Sequence, residues 1–273
     1  MTWLVAGFVI LNAARVIPFF TARLWLPNHR SVRTADVHSD IPISDTHAEA
    51  VAEAVSRLEA HEAWLGPERS TRVLLISNAR TYGILARLVG LSSESQGLSL
   101  GRTAVISLSF LESMRARWGP AYAGTILDGD LAHLVGHEMA HMALMTRLGR
   151  RTVVRLARWK GEGLAEYYSS DPDAVPSTPE LARRVRDFLG PNAPRAGAIR
   201  GQYIEASLLV SYLTAVEGWT VDRIVDGPED STELVAEMKA WAGARTYRVP
   251  SVRESATVAR TAAKRTSGSH RTL

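Results

Sequence analysis

Residues 131–145 read LAHLVGHEMAHMALM, and this stretch decides how the chain is understood. Leucine, valine, methionine and alanine dominate it, yet it carries His133, His137, His141 and Glu138. An apolar helical segment normally excludes such groups, because an unpaired buried polar group costs about 1–3 kcal/mol. The histidines recur every fourth residue, so a helix sets them on one face with Cβ atoms about 5–6 Å apart. Residues His137-Glu138-Met139-Ala140-His141 have the form H-E-x-x-H, in which two imidazoles aim one nitrogen each at a common ion. Glu138 projects about 100° around the helix from His137, so it flanks the ion and serves as general base. Coordination to a dication thus offsets the burial. His133, one turn before His137, is expected to hydrogen-bond to backbone and is not counted as a ligand.

A catalytic zinc takes three protein ligands and keeps a fourth position for water. The chain has no cysteine, so the third ligand is His, Asp or Glu, and the only histidine after His141 is His270, so a carboxylate is expected. RWKGEGLAEYYSS (158–170) supplies it. Glu162 and Glu166 stand one helical turn apart among Trp159, Leu164, Ala165 and Tyr167. Glu162 is the expected ligand, and Glu166 the acceptor for the second N–H of a ligand histidine.

H-E-x-x-H followed by W-x-x-E-G-x-A-x-Y resembles the gluzincin, or peptidase MA-like, zinc metallopeptidases, a superfamily that holds the thermolysin-like enzymes and a large group of aminopeptidases. The resemblance implies a zincin-like α+β fold, a small α/β lobe with a short sheet followed by a helical lobe. It implies one zinc per chain on His137, His141 and Glu162, with Glu138 as base and Glu166 behind the ligands. It covers roughly residues 35–243 and is closest to small bacterial peptidase-MA-like domains, often membrane-attached. Twenty residues separate His141 from Glu162, slightly more than in those two groups, which suggests a separate branch. The G-A-M-E-N signature of the aminopeptidases is missing, which argues against that activity. The expected substrate is a peptide or protein. In related folds it pairs with an edge strand of the first lobe, and TAVISLS (103–109) is that strand by resemblance.

A second donor to the developing oxyanion is usual in such hydrolysis. With no histidine available downstream, Tyr203 is the candidate, with Tyr167 and Arg200 behind it. The alternative function is a non-catalytic binding or scaffold domain that retains a structural zinc. Such a zinc is normally enclosed by four protein ligands, so three ligands and an intact Glu138 favour catalysis.

The 273 residues are 46% hydrophobic and 22% charged, enough for one large domain or two small lobes. The net charge of +4 is concentrated in residues 244–273, a basic stretch rich in Ser and Thr that reads as a disordered tail. The folded part is near neutral, which argues against a nucleic-acid partner. Residues 1–28 are strongly apolar. From Trp3 to Ala22 the only charge is Arg15, and the length suits a single-pass membrane anchor. Arg15, Arg23, Arg30 and Arg33 on its carboxyl side favour a cytoplasmic body, whereas the family resemblance favours an extracytoplasmic one. The arginine-rich segment 147–160 would then face anionic headgroups or simply be solvated. Oligomeric state is not legible.

The peptidase domain, taken as residues 30–243, divides at Gly, Pro and Asp clusters. SDTHAEAVAEAVSRLEAHEAWLG (44–66) reads as an amphipathic helix with a Thr46–Glu49 capping box. RVLLISN (72–78) and RTAVISLSF (102–110) read as buried strands, with a helix through YGILARLVG between them. Helices are expected at 130–148, 158–170, 178–189, 199–217 and 229–242.

Overall fold

A computed structural model describes residues 25–61, 71–89, 97–118, 130–170, 177–190 and 198–245. The chain opens with a hairpin, β1 (Asn28–Val32) and β2 (Ala35–Ser39), whose turn carries Arg33 at φ 50°. Helix α1 (Asp45–Ala60) leads to β3 (Thr71–Ile76), α2 (Ala79–Leu88), the hairpin β4 (Gly97–Leu100) and β5 (Thr103–Ser107), and α3 (Leu108–Trp118). Helices then follow without further strands among the described residues: α4 (Leu131–Leu148), α5 (Arg150–Arg155), α6 (Arg158–Ser169), α7 (Thr178–Leu189), α8 (Ala198–Ala215), α9 (Val221–Asp226) and α10 (Thr232–Ala244). The architecture is α+β, a five-stranded sheet followed by a helical region.

The sheet has the order β1-β2-β3-β5-β4. Its three central strands, β2, β3 and β5, run parallel to one another, and β1 and β4 close the two edges antiparallel. Both faces are covered, which explains why β3 and β5 read as unbroken apolar runs. Val73, Leu75, Ala104 and Ile106 join a core with Val51, Val55 and Leu58 of α1 and Leu134, Val135 and Met139 of α4. Leu74, Ile76 and Val105 face the other way, onto Tyr82, Leu85 and Ala86 of α2. Helix α4 is therefore wedged between the sheet with α1 on one side and α6 on the other.

Several expectations need correction. The strand proposed for substrate pairing, residues 103–109, is internal: β5 is bonded to β3 on one side and β4 on the other, and its last residues begin α3. The edge is β4, brought there by a two-residue turn at Gly101, whose φ of 60° suits glycine. The capping box of α1 is built from Ser44 and His47, because the helix starts at Asp45, one residue before Thr46. The helix also ends at Ala60, short of Gly66.

The membrane anchor is corrected as well. Among the described residues no helix is long and apolar enough to cross a membrane, and residues 3–22, on which the anchor rested, lie outside the described residues. The single-pass assignment and the location drawn from it are withdrawn. The tail from residue 246 also lies outside them.

Candidate metal centre

Two helices build the site. Helix α4 is capped by Asp130, whose side chain accepts from the amides of Ala132 at 3.0 Å and His133 at 3.3 Å. From Leu131 to Ala140 every residue of α4 is buried. Its histidine face meets Glu162 and Glu166 on α6, so a ladder of imidazoles at four-residue spacing faces a ladder of carboxylates at the same spacing. Arg57 of α1 ties the two helices at one end, donating to the Asp130 carboxylate and, at 3.4 Å, to the Ser169 carbonyl.

Three donor atoms converge. His137 Nε2 and His141 Nε2 are 3.1 Å apart. Glu162 Oε2 lies 3.3 Å from the first and 3.4 Å from the second. A zinc ion about 2.0–2.1 Å from tetrahedral ligands holds those ligands about 3.3–3.4 Å from one another. Two edges of the triangle have those lengths and the third, at 3.1 Å, is slightly shorter, so the group fits around one tetrahedral ion. These three residues form a group able to hold a metal ion.

The groups behind the triangle fit the same purpose. His137 Nδ1 stands 2.7 Å from Glu166 Oε1. The contact meets the distance but not the angle of a good hydrogen bond, and neither atom has another partner. With the proton on Nδ1, the Nε2 lone pair is free to coordinate. The other oxygen of Glu166 takes His133 Nε2 at 2.9 Å, and Ser169 Oγ is 3.3 Å from the same nitrogen. His133 thus pairs with a carboxylate, not with backbone as expected.

The electrostatics call for a cation. Burial opposes charge on Glu162, but hydrogen bonds to His137 and His141 prevail and hold its pKa well below the usual range. Burial likewise opposes charge on Glu166, and His133 and His137 hold it below that range. Burial also disfavours protonation of His137, yet hydrogen bonds to Glu162 and Glu166 raise its pKa well above the ordinary value. Two buried carboxylates favour positive charge at this point, which a divalent cation supplies.

Glu138 is 7% exposed and sits under the sheet edge. A Cβ built on Gly97, the first residue of β4, would fall 2.6 Å from Glu138 Oε1. Burial raises its pKa, against the opposing pull of His137 and His141. That is the direction a general base needs to work near neutral pH.

Tyr203 lies on α8 with its ring centroid 6.3 Å from that of His137. Arg158 donates to its hydroxyl at 3.4 Å and stands over its ring at 5.3 Å. Helix α8 comes this close because of Gly163: a Cβ there would lie 2.6 Å from the Ala206 carbonyl. Tyr167 instead packs against His61 and Tyr168, and the Arg200 side chain lies outside the described residues. The residues missed from sequence are Gly97, Arg158 and the His133–Glu166 pair. Only the last left a signal, the matched four-residue spacing on the two helices.

The chain matches no protein-family model and no curated protein. Its functional reading rests on the geometry.

Proposed function

We propose that the chain is a zinc-dependent peptidase with a zincin-like catalytic domain of the gluzincin type. The observation that carries this reading is the triangle of His137 Nε2, His141 Nε2 and Glu162 Oε2 with edges of 3.1–3.4 Å. Zinc bound there supplies Lewis acidity, acidifying a water molecule and polarising a carbonyl.

The protein groups divide the remaining work. Glu138 accepts the proton of the attacking water and returns it to the departing amine. Glu166 orients His137 and, through its second oxygen, is itself oriented by His133. Tyr203 stabilises the carbonyl oxygen as it gains charge. Arg158 donates to the Tyr203 oxygen, which leaves the hydroxyl proton available for the substrate. Among the described residues the outer side of β4 has no strand partner, and an extended peptide paired there would pass close to Glu138. A structural zinc is normally enclosed by four protein ligands. The described residues bring three donors together, with a buried carboxylate at hand, and this favours catalysis over a scaffold role.

The test is digestion of a peptide library with and without a chelator, together with zinc analysis of the protein. One zinc per chain and chelator-sensitive cleavage are expected. Glu138→Gln should keep the metal and stop cleavage, whereas Glu162→Ala should lose metal. Undiminished hydrolysis by the Glu138→Gln protein would overturn the mechanism.

A further inference from the structure

Beside the metal centre lies a cavity that extends past the groups assigned to the peptide chemistry. It has a volume of about 270 Å³ and opens between the start of α6 and α8, and Glu162 and Tyr203 belong to its wall. Ala206 and Leu209 give it an apolar floor, and Trp159 an apolar side. Trp159 is fixed there by its indole N–H, which donates to the Glu229 carbonyl at 3.1 Å.

Charge in this cavity is unevenly matched. The Glu229 carboxylate lies 3.3 Å from the buried Lys160 ammonium, and Glu205 lies 3.9 Å from Lys239. Glu162 belongs to the metal triangle. Arg158 is the exception: among the described residues its guanidinium donates to the Tyr203 hydroxyl, and no carboxylate comes within salt-bridge distance. A guanidinium presents a planar fork of donors suited to a carboxylate. One terminal nitrogen is used on Tyr203, and Arg158, an exposed residue, belongs to the cavity wall.

We propose that this cavity is a carboxylate-binding subsite, in which Arg158 receives an anionic group of the peptide held at the metal centre. The apolar floor and Trp159 carry the methylenes of the bound residue, and the guanidinium takes its charge. The carboxylate is either an acidic side chain or the carboxyl terminus of the peptide. The proposal rests on the peptidase reading for the identity of its ligand, but not for the existence of the subsite.

Binding separates the two questions. Three labelled hexapeptides serve as probes: one with a free terminal carboxylate, its terminal amide, and that amide with one Gln replaced by Glu. Fluorescence anisotropy measures their affinity for the zinc-loaded Glu138→Gln protein, with and without Arg158→Gln or Arg158→Lys. At least one carboxylate probe should bind about tenfold tighter than the neutral amide, as a charged hydrogen bond provides. Which probe wins identifies the source of the carboxylate.

Arg158→Gln should bring the ratio close to one, and Arg158→Lys should keep part of it, with circular dichroism verifying that each variant is folded. An equal ratio with and without Arg158→Gln would assign the preference to the metal and overturn the subsite, as would the lack of any preference. Repeating the titration in chelator reads the cavity alone. An Arg158-dependent ratio there, combined with no hydrolysis by the wild-type protein, would remove the peptidase reading while the subsite stands.

Discussion

Gly97 and Glu138 are packed so closely that one methyl group on the first would overlap the carboxylate of the second, at 2.6 Å from Oε1. The atoms met are the end of a flexible side chain, so Gly97→Ala displaces Glu138 and leaves the fold in place. A misplacement of about 1 Å in a reacting group costs on the order of a hundredfold in rate. The variant should therefore lose roughly ten- to a hundredfold in kcat, with zinc content and Tm close to wild type. Loss of zinc in parallel with activity would show that Gly97 supports the ligands and not the base.

Glu166 should matter to the metal although it does not touch it. It is 2% exposed and serves two histidines at once. Replacing such a partner typically weakens metal affinity by about 10–100-fold. Glu166→Gln should fall in that range in a chelator competition. His133→Gln, which removes only the support of Glu166, should lose less. A larger loss from His133→Gln than from Glu166→Gln would contradict this order of action.

The two site helices were legible because α4 and α6 combine strong periodicity with polar groups that have no other business in an apolar stretch. His137, His141 and Glu162 were found this way, and the structure brings them together. The hairpin of β1 and β2 was not legible: NHRSVRTADVHS is mostly polar, since β1 is largely exposed and only β2 is buried. The edge strand β4 is four residues long and follows a stretch without periodicity, so attention fell on its apolar neighbour β5. Gly97 carries no side chain to signal a role, and its significance exists only once β4 meets α4. Arg158 was lost among the basic residues between the two motifs, since its neighbour Tyr203 is distant in sequence.

His61 allows a pH test well separated from the metal ligands in sequence. It ends α1, contacts the rings of Tyr167 and Tyr168, and reaches the Ser170 carbonyl at 3.3 Å. Burial lowers its pKa, with the carbonyl acting in the opposite sense. A histidine with a depressed folded pKa stabilises the fold while neutral, and that contribution fades as pH falls below the unfolded value of about 6.5. The Tm difference between wild type and His61→Gln should therefore shrink from pH 7.5 to pH 5.5. A difference that grows on acidification would reverse the sign and disprove the argument.

Lys160 is fully buried on the ligand helix, two residues before Glu162. Its ammonium donates to the carbonyls of Val225 at 2.9 Å and Gly227 at 2.8 Å, and meets Glu229 at 3.3 Å. It thereby closes the carboxyl end of α9 and holds the segment that forms one wall of the cavity. Lys160→Met preserves the volume of the side chain but leaves two partly buried carbonyls without their donor. Hydrogen bonds to a charged group are worth about 1.5–3 kcal/mol, and each kcal/mol moves Tm by roughly 2–4 °C in a chain of this size. The variant should melt several degrees lower and bind zinc as before, because no metal ligand contacts the ammonium. The carboxylate probes should bind more weakly to it, as Trp159 and the 225–231 segment lose their anchor. An unchanged Tm would mean that water replaces the ammonium, and that the cavity wall is held by the packing of α9 alone.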